Sequence, residues 1–275
     1  MATNPLQKYF RQPKVYVKLP SKGIYNQAGS LNGDPENMPI FGMTGMDEIL
    51  SKTPDALLSG ESTAKIIESC CPSIKDSWDL SLLDLDLLLV AIRIATEGNT
   101  MAVSHTCTSC KEVNDYDIDL GLFVQHFAGC EYNTKVLLKD LTITLHPLNY
   151  KQWTEFQNKN FQLQRQLAQV VNMEDEAEQK KLLSELFEKV TIIQNELLMI
   201  QVESVETDSG VVNQRQFIQE WLNNCDKSVF DAIKEVIDSN RKRWELPAVQ
   251  VVCESCKADN SLFVNMDQSS FFGNA

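Results

Sequence analysis

Two periodicities take turns along this chain. Residues 14–19 alternate like a strand until Pro20-Ser21-Lys22-Gly23 breaks the pattern. Their surroundings, residues 1–45, are rich in Pro, Gly and Asn, which predicts an extended arm with one or two short strands. Residues 46–97 carry helical spacing. Thr53-Pro54 and Gly60 mark the start and stop of one helix, and Ser62 caps another through Cys70, ended by Pro72. Ser81 opens the strongest helix, over 82–96, closed by Gly98. Asp84 sits where a capping box places its acid, and Leu80 and Leu85 are set for a hydrophobic staple. This helix is apolar nearly all round, so it belongs in a core. Residues 100–146 switch to period two, with Tyr116, Ile118 and Leu120 alternating with Asp117 and Asp119. A hairpin is expected from 136–138 and 141–145 about Lys139-Asp140. Helical period returns over 153–171 and from 176 to about 205, followed by a turn at 207–210. Helices over 215–222 and 228–243 follow, the second capped by Asp226. Residues 246–252 and 261–264 are strand-like. The predicted class is α+β, mainly helical, with a small β module and an extended N-terminal arm.

Composition narrows the function. The 275 residues are enough for a sizeable core. A net charge of −13 argues against a surface built to hold nucleic-acid phosphates, and the densest basic group is only Arg241-Lys242-Arg243. The longest apolar run, 87–92, is far too short to span a bilayer. The first residues lack the basic-then-apolar pattern of a signal peptide, so a reducing compartment is expected. There, eight cysteines read as free thiols and metal ligands rather than disulfides.

Four of those cysteines lie in two near-identical segments. Residues 107–114 and 253–260 share the pattern C-x-S-C-K-x-x-N, with 142 residues between Cys110 and Cys253. A C-x-x-C turn lets both sulfurs reach one ion, and two such turns complete a tetrahedral thiolate site. Cys107, Cys110, Cys253 and Cys256 are therefore the expected ligands of one structural Zn2+. Lys111 and Lys257 would soften the charge of the tetrathiolate. Two inert or disulfide-forming pairs are the bland alternative. Dithiol redox chemistry is the enzymatic one, but it wants a helix after the pair, and strand-like residues follow both. The predicted domains are an arm at 1–45, a helical segment at 46–99, a β/zinc-knuckle module from 100–149 and 246–275, and a helical insertion at 150–245.

Other chemistry is sparse. His105 reads as a knuckle surface residue rather than a ligand, and His105-Thr106-Cys107 lacks the Glu and Pro of a zinc deaminase. His126 and His146 read as structural; Cys70, Cys71, Cys130 and Cys225 read as buried small hydrophobes. Asp86 and Arg93 share the apolar helix and need partners, within the chain by preference or on a neighbouring subunit. No phosphate loop, dinucleotide fingerprint, nucleophile elbow or H-E-x-x-H is present. No catalytic residue is predicted.

Leu19-Pro20-Ser21-Lys22-Gly23, then Met43-Thr44-Gly45-Met46-Asp47-Glu48 with Pro54 to Gly60, then residues 83–96 resemble the baseplate hub proteins of T4-type contractile-tailed phages. The likeness runs over roughly residues 15–130, and the first C-x-x-C fits it. It implies a non-enzymatic virion protein, made late, of the tail baseplate hub, or a hub assembly factor put together in the host cytoplasm. It implies an oligomeric assembly with hub, tube-initiator and wedge proteins, without nucleic acid and without a membrane span. The same absence of catalytic motifs would suit a zinc-ribbon adaptor of a polymerase or nucleic-acid complex.

Overall fold

A computed structural model describes residues 4–53, 59–173 and 175–264. The predicted helix opening at Thr53-Pro54 falls on 54–58, outside the described residues. The class is α+β, with eight helices and ten strands among the described residues, the strands in small antiparallel sheets. The chain divides into two compact units, one up to Cys130 and again from Trp244, the other Glu131–Arg243.

The first unit is built on one helix. Ser81 caps Leu82–Glu97 (α3) by accepting from Leu83 N at 3.3 Å, and Gly98 closes it at φ 105°, a backbone conformation that favours glycine. Leu83, Leu85, residues 87–92 and Ala95 are all buried, so its apolar circumference is covered on every side. The cover comes from the strands Val15–Val17 (β1) and Met38–Ile40 (β2), the helix Glu61–Cys70 (α2) and the helix Gly121–Gly129 (α4). Gly42 passes so close that a Cβ there would lie 2.7 Å from the Ala95 carbonyl oxygen. The short helix Gly45–Ser51 (α1) follows, opened by a capping box between Thr44 and Asp47.

Three local expectations change here. Gly60, not Ser62, caps α2. Asp84 does not fold back onto Ser81; it accepts from Ser21 N at 2.9 Å and from the Ser21 hydroxyl. A buried carboxylate needs strong donors, and the arm supplies two. The third change is α4, which interrupts the period-two region after the hairpin Thr100–Thr106 (β3) and Val113–Asp119 (β4). Phe123 and Phe127, one turn apart, are fully buried and hold it down.

The second unit has its own sheet and core. Lys135–Leu137 (β5) and Thr142–Leu145 (β6) form the expected hairpin, but β6 pairs onward with Val202–Thr207 (β7), and β7 with Gly210–Val212 (β8). The helices Tyr150–Val171 (α5) and Glu176–Ile200 (α6) lie between β6 and β7 in sequence. Asn149 and Gln152 form the capping box that starts α5. Helical period thus ends at Ile200 rather than near 205, because Val202 and Val205 point into a core shared with Val136, Ile143 and Leu145. Ile218 and Leu222 of Arg215–Asn224 (α7) and Ile233 of Lys227–Trp244 (α8) complete that core. Leu163, Val170 and Leu186 make a smaller cluster between α5 and α6. Asn240 pins α8 by a reciprocal pair of bonds with the Asn133 backbone, at 2.9 and 2.8 Å. Among the described residues no helix is long and apolar enough to cross a membrane.

Candidate metal centre

Both C-x-S-C-K-x-x-N segments are the turns of antiparallel hairpins, one between β3 and β4, the other between Val249–Val252 (β9) and Asp259–Leu262 (β10). The two turns match bond for bond. Cys107 N donates to Glu112 O at 2.8 Å, and Cys253 N to Ala258 O at 3.0 Å. Lys111 N donates to Cys107 O at 3.1 Å, and Lys257 N to Cys253 O at 3.0 Å. Lys111 and Lys257 are left-handed, at φ 64° and 60°. That conformation is strained for a residue with a Cβ. Its presence at the same offset twice shows one local structure used twice. Within the first unit Tyr116 OH of the first hairpin donates to Val252 O of the second at 3.3 Å, and Trp244 Nε1, where the chain re-enters the unit, donates to Leu83 O at 3.1 Å.

The four sulfurs lie within 4.8 Å of one another. The cross-knuckle pairs Cys107–Cys256 and Cys110–Cys253 stand at 3.7 and 3.6 Å. A disulfide needs about 2.05 Å, and none of these four cysteines is in one. A tetrahedron with metal–sulfur bonds of about 2.3 Å has sulfurs about 3.8 Å apart. The donor set therefore fits a single thiophilic ion such as Zn2+.

Electrostatics point the same way. The backbone N–H of Cys110, helped by that of Ser109 and by Asn260, holds the Cys107 thiol down to about 6. The N–H groups of Cys256 and Ser255 lower Cys253 in the same manner. Cys110 is pushed up to about 12: the Glu112 N–H lowers it, but burial and the three neighbouring sulfurs outweigh that bond. Four thiolates in mutual contact cannot all stay ionised without a cation among them. Cys107 and Cys253 are buried, whereas Cys110 and Cys256 reach the surface.

The remaining candidates stay apart from this cluster. His105 sits on β3 opposite Asn114, and its buried Nε2 has no hydrogen-bond partner among the described residues. His126 lies 3.7 Å from Cys130 and packs edge-on to Phe127, and His146 Nδ1 lies 2.6 Å from Pro147 O. Burial raises Cys70 to about 12 and pushes Cys71 up as well, which leaves both thiols inert. Arg93 pairs with Glu97 at 2.8 Å, inside the chain. Asp86 has no hydrogen-bond or ion-pair partner among the described residues, and burial raises it to about 6.

The residues the sequence reading under-used are Asn114 and Asn260. Their repetition was visible; their direction was not. Each reaches across to the other knuckle, Asn260 to Thr108 N at 2.9 Å and Asn114 to Glu254 N at 3.1 Å. Neither knuckle opens a helix, since β4 and β10 follow them, so the arrangement lacks the helix-end dipole that dithiol redox catalysis uses. It is a clasp between two hairpins 142 residues apart.

No curated protein and no solved structure matches the chain. One family model does, over residues 42–273, which takes in both hairpins, all four cysteines and the whole of the second unit. On that match the chain belongs to the family of T4 bacteriophage base plate proteins.

Proposed function

We propose that the chain is a non-enzymatic structural or assembly component of the baseplate hub, held by one Zn2+ on Cys107, Cys110, Cys253 and Cys256. Family membership gives a phage baseplate structural role and a place in the virion tail. The observation that carries the zinc is the four-sulfur cluster, with its matched turns and tetrahedral spacing. Bound there, the ion would neutralise the thiolates and fasten the second hairpin to the first.

The hub reading rests on the arm and its anchor at Gly42 and α2. The first 33 residues contain five basic residues and no acidic one, although the chain as a whole is at −13. Leu6, Tyr9, Phe10 and Tyr16 are all more than half exposed. Arg11 anchors the arm by donating to Gly42 O at 2.5 Å and Ser69 O at 2.7 Å, which leaves those side chains facing outward. A basic, aromatic arm on an acidic body is suited to lie on neighbouring acidic subunits. Hub, tube-initiator and wedge proteins are the proposed neighbours, met in the host cytoplasm during assembly.

The test is a phage carrying the charge-and-surface variant Lys8→Glu with Phe10→Ser. Hub subcomplexes should fail to form, and the variant chain should no longer co-purify with hub proteins. Normal tails from that phage would contradict the hub role of the arm.

A further inference from the structure

We propose that Asn114 and Asn260 are positioning residues of the metal site, each carried by one knuckle and orienting the first cysteine of the other. This rests on reading the four cysteines as a metal site.

The two asparagines occupy the same place in their hairpins, seven residues after the first cysteine. Both are buried, at 8% and 4% exposure. Each Nδ2 has two hydrogens and two partners. For Asn114 they are its own knuckle's Glu112 O at 3.2 Å and the other knuckle's Cys253 Sγ at 3.4 Å. For Asn260 they are Ala258 O at 3.0 Å and Cys107 Sγ at 3.5 Å. Each Oδ1 accepts the backbone N–H that follows the cysteine it faces, Glu254 N at 3.1 Å and Thr108 N at 2.9 Å. Asn260 Oδ1 also accepts from Thr108 Oγ1 at 3.0 Å, where the second knuckle has Glu254.

A carboxamide is the one short side chain that does this. It must accept at one end and donate twice at the other. Asp would keep the accepted bond, lose the donation to sulfur and add a negative charge beside thiolates. A hydrogen bond to a ligating thiolate fixes its direction and stabilises its charge, as partners beyond the ligands generally do. Because each asparagine acts across the pair, neither knuckle is set until the two have met. Ion uptake and closure of the clasp then become one event.

The experiment titrates the full chain with Zn2+ against a competing chelator, and with Co2+ followed by its sulfur-to-metal charge-transfer absorption. Asn114→Ala and Asn260→Ala should each weaken zinc binding by about 10–100-fold. Removing the donor to sulfur should also move the cobalt band to lower energy, which a loss of packing alone would not do. Asn260→Asp keeps the bond from Thr108 N, so it guards against a variant that fails to fold; it should show the same weakening and band shift. Wild-type affinity and an unshifted band in the variants would overturn the proposal and leave the four-cysteine site standing. Failure of the wild-type chain to bind either metal would instead remove the site itself.

Discussion

Asp84 and Asp86 stand two positions apart on α3 and are solvated by the fold in different ways. Asp84 is completely buried and takes two donors from Ser21, which ties the arm to the core helix. Asp86 has no such partner among the described residues. Burial raises both to about 6 from the ordinary carboxyl value of 3.8. For a raised carboxyl the folded state holds a proton that the unfolded chain has released. Stability therefore falls as pH climbs from about 4 to about 6, and the penalty is complete above that window. Asp86→Asn removes the penalty without changing shape. It should stabilise the first unit by on the order of 1–3 kcal/mol at pH 7.5, with the gain shrinking toward pH 4.5. Thermal unfolding of both proteins at the two pH values reads the difference. A variant less stable than wild type at pH 7.5 would mean that the native chain stabilises the Asp86 carboxylate instead of penalising it.

At the scale of elements, α4 rests on two side chains. Phe123 and Phe127 are fully buried on a helix of nine residues, too short to hold by propensity alone. Phe123→Ala should cost about 3–5 kcal/mol in the first unit, measured by chemical denaturation, whereas the same change at exposed Phe187 of α6 should cost little. Equal costs at the two sites would contradict the placement of α4. This helix was not legible in the alternation of 100–146, because a single i,i+4 aromatic pair between strands barely disturbs a period-two pattern. The strand β7 was hidden for a related reason. Val202 and Val205 continue the spacing of Leu198, so a helical stripe and a strand's inward face look alike until β6 pairs with it. By contrast, α3 was legible to within one residue, since Ser81, its apolar run and Gly98 agree about one helix. The capping role expected of Asp84 failed because its partner, Ser21, lies 63 positions away. The four cysteines were readable because duplication is itself a signal; the crossing of the two asparagines needed the hairpins set side by side.

For the whole molecule, the chain leaves the first unit after Cys130 and re-enters it at Trp244, having folded a separate sheet and core in between. The clasp joins the segments on either side of that excursion. Bringing such distant segments together costs loop-closure entropy, and β9 and β10 form only a two-stranded sheet with little stability of its own. An ion that binds the folded arrangement alone supplies the missing stability. Native mass spectrometry of the full chain, beside Cys253→Ser, tests this most directly. The account predicts one zinc per wild-type chain and none in the variant. A metal-free wild-type chain, or a variant that keeps its full zinc, would contradict it.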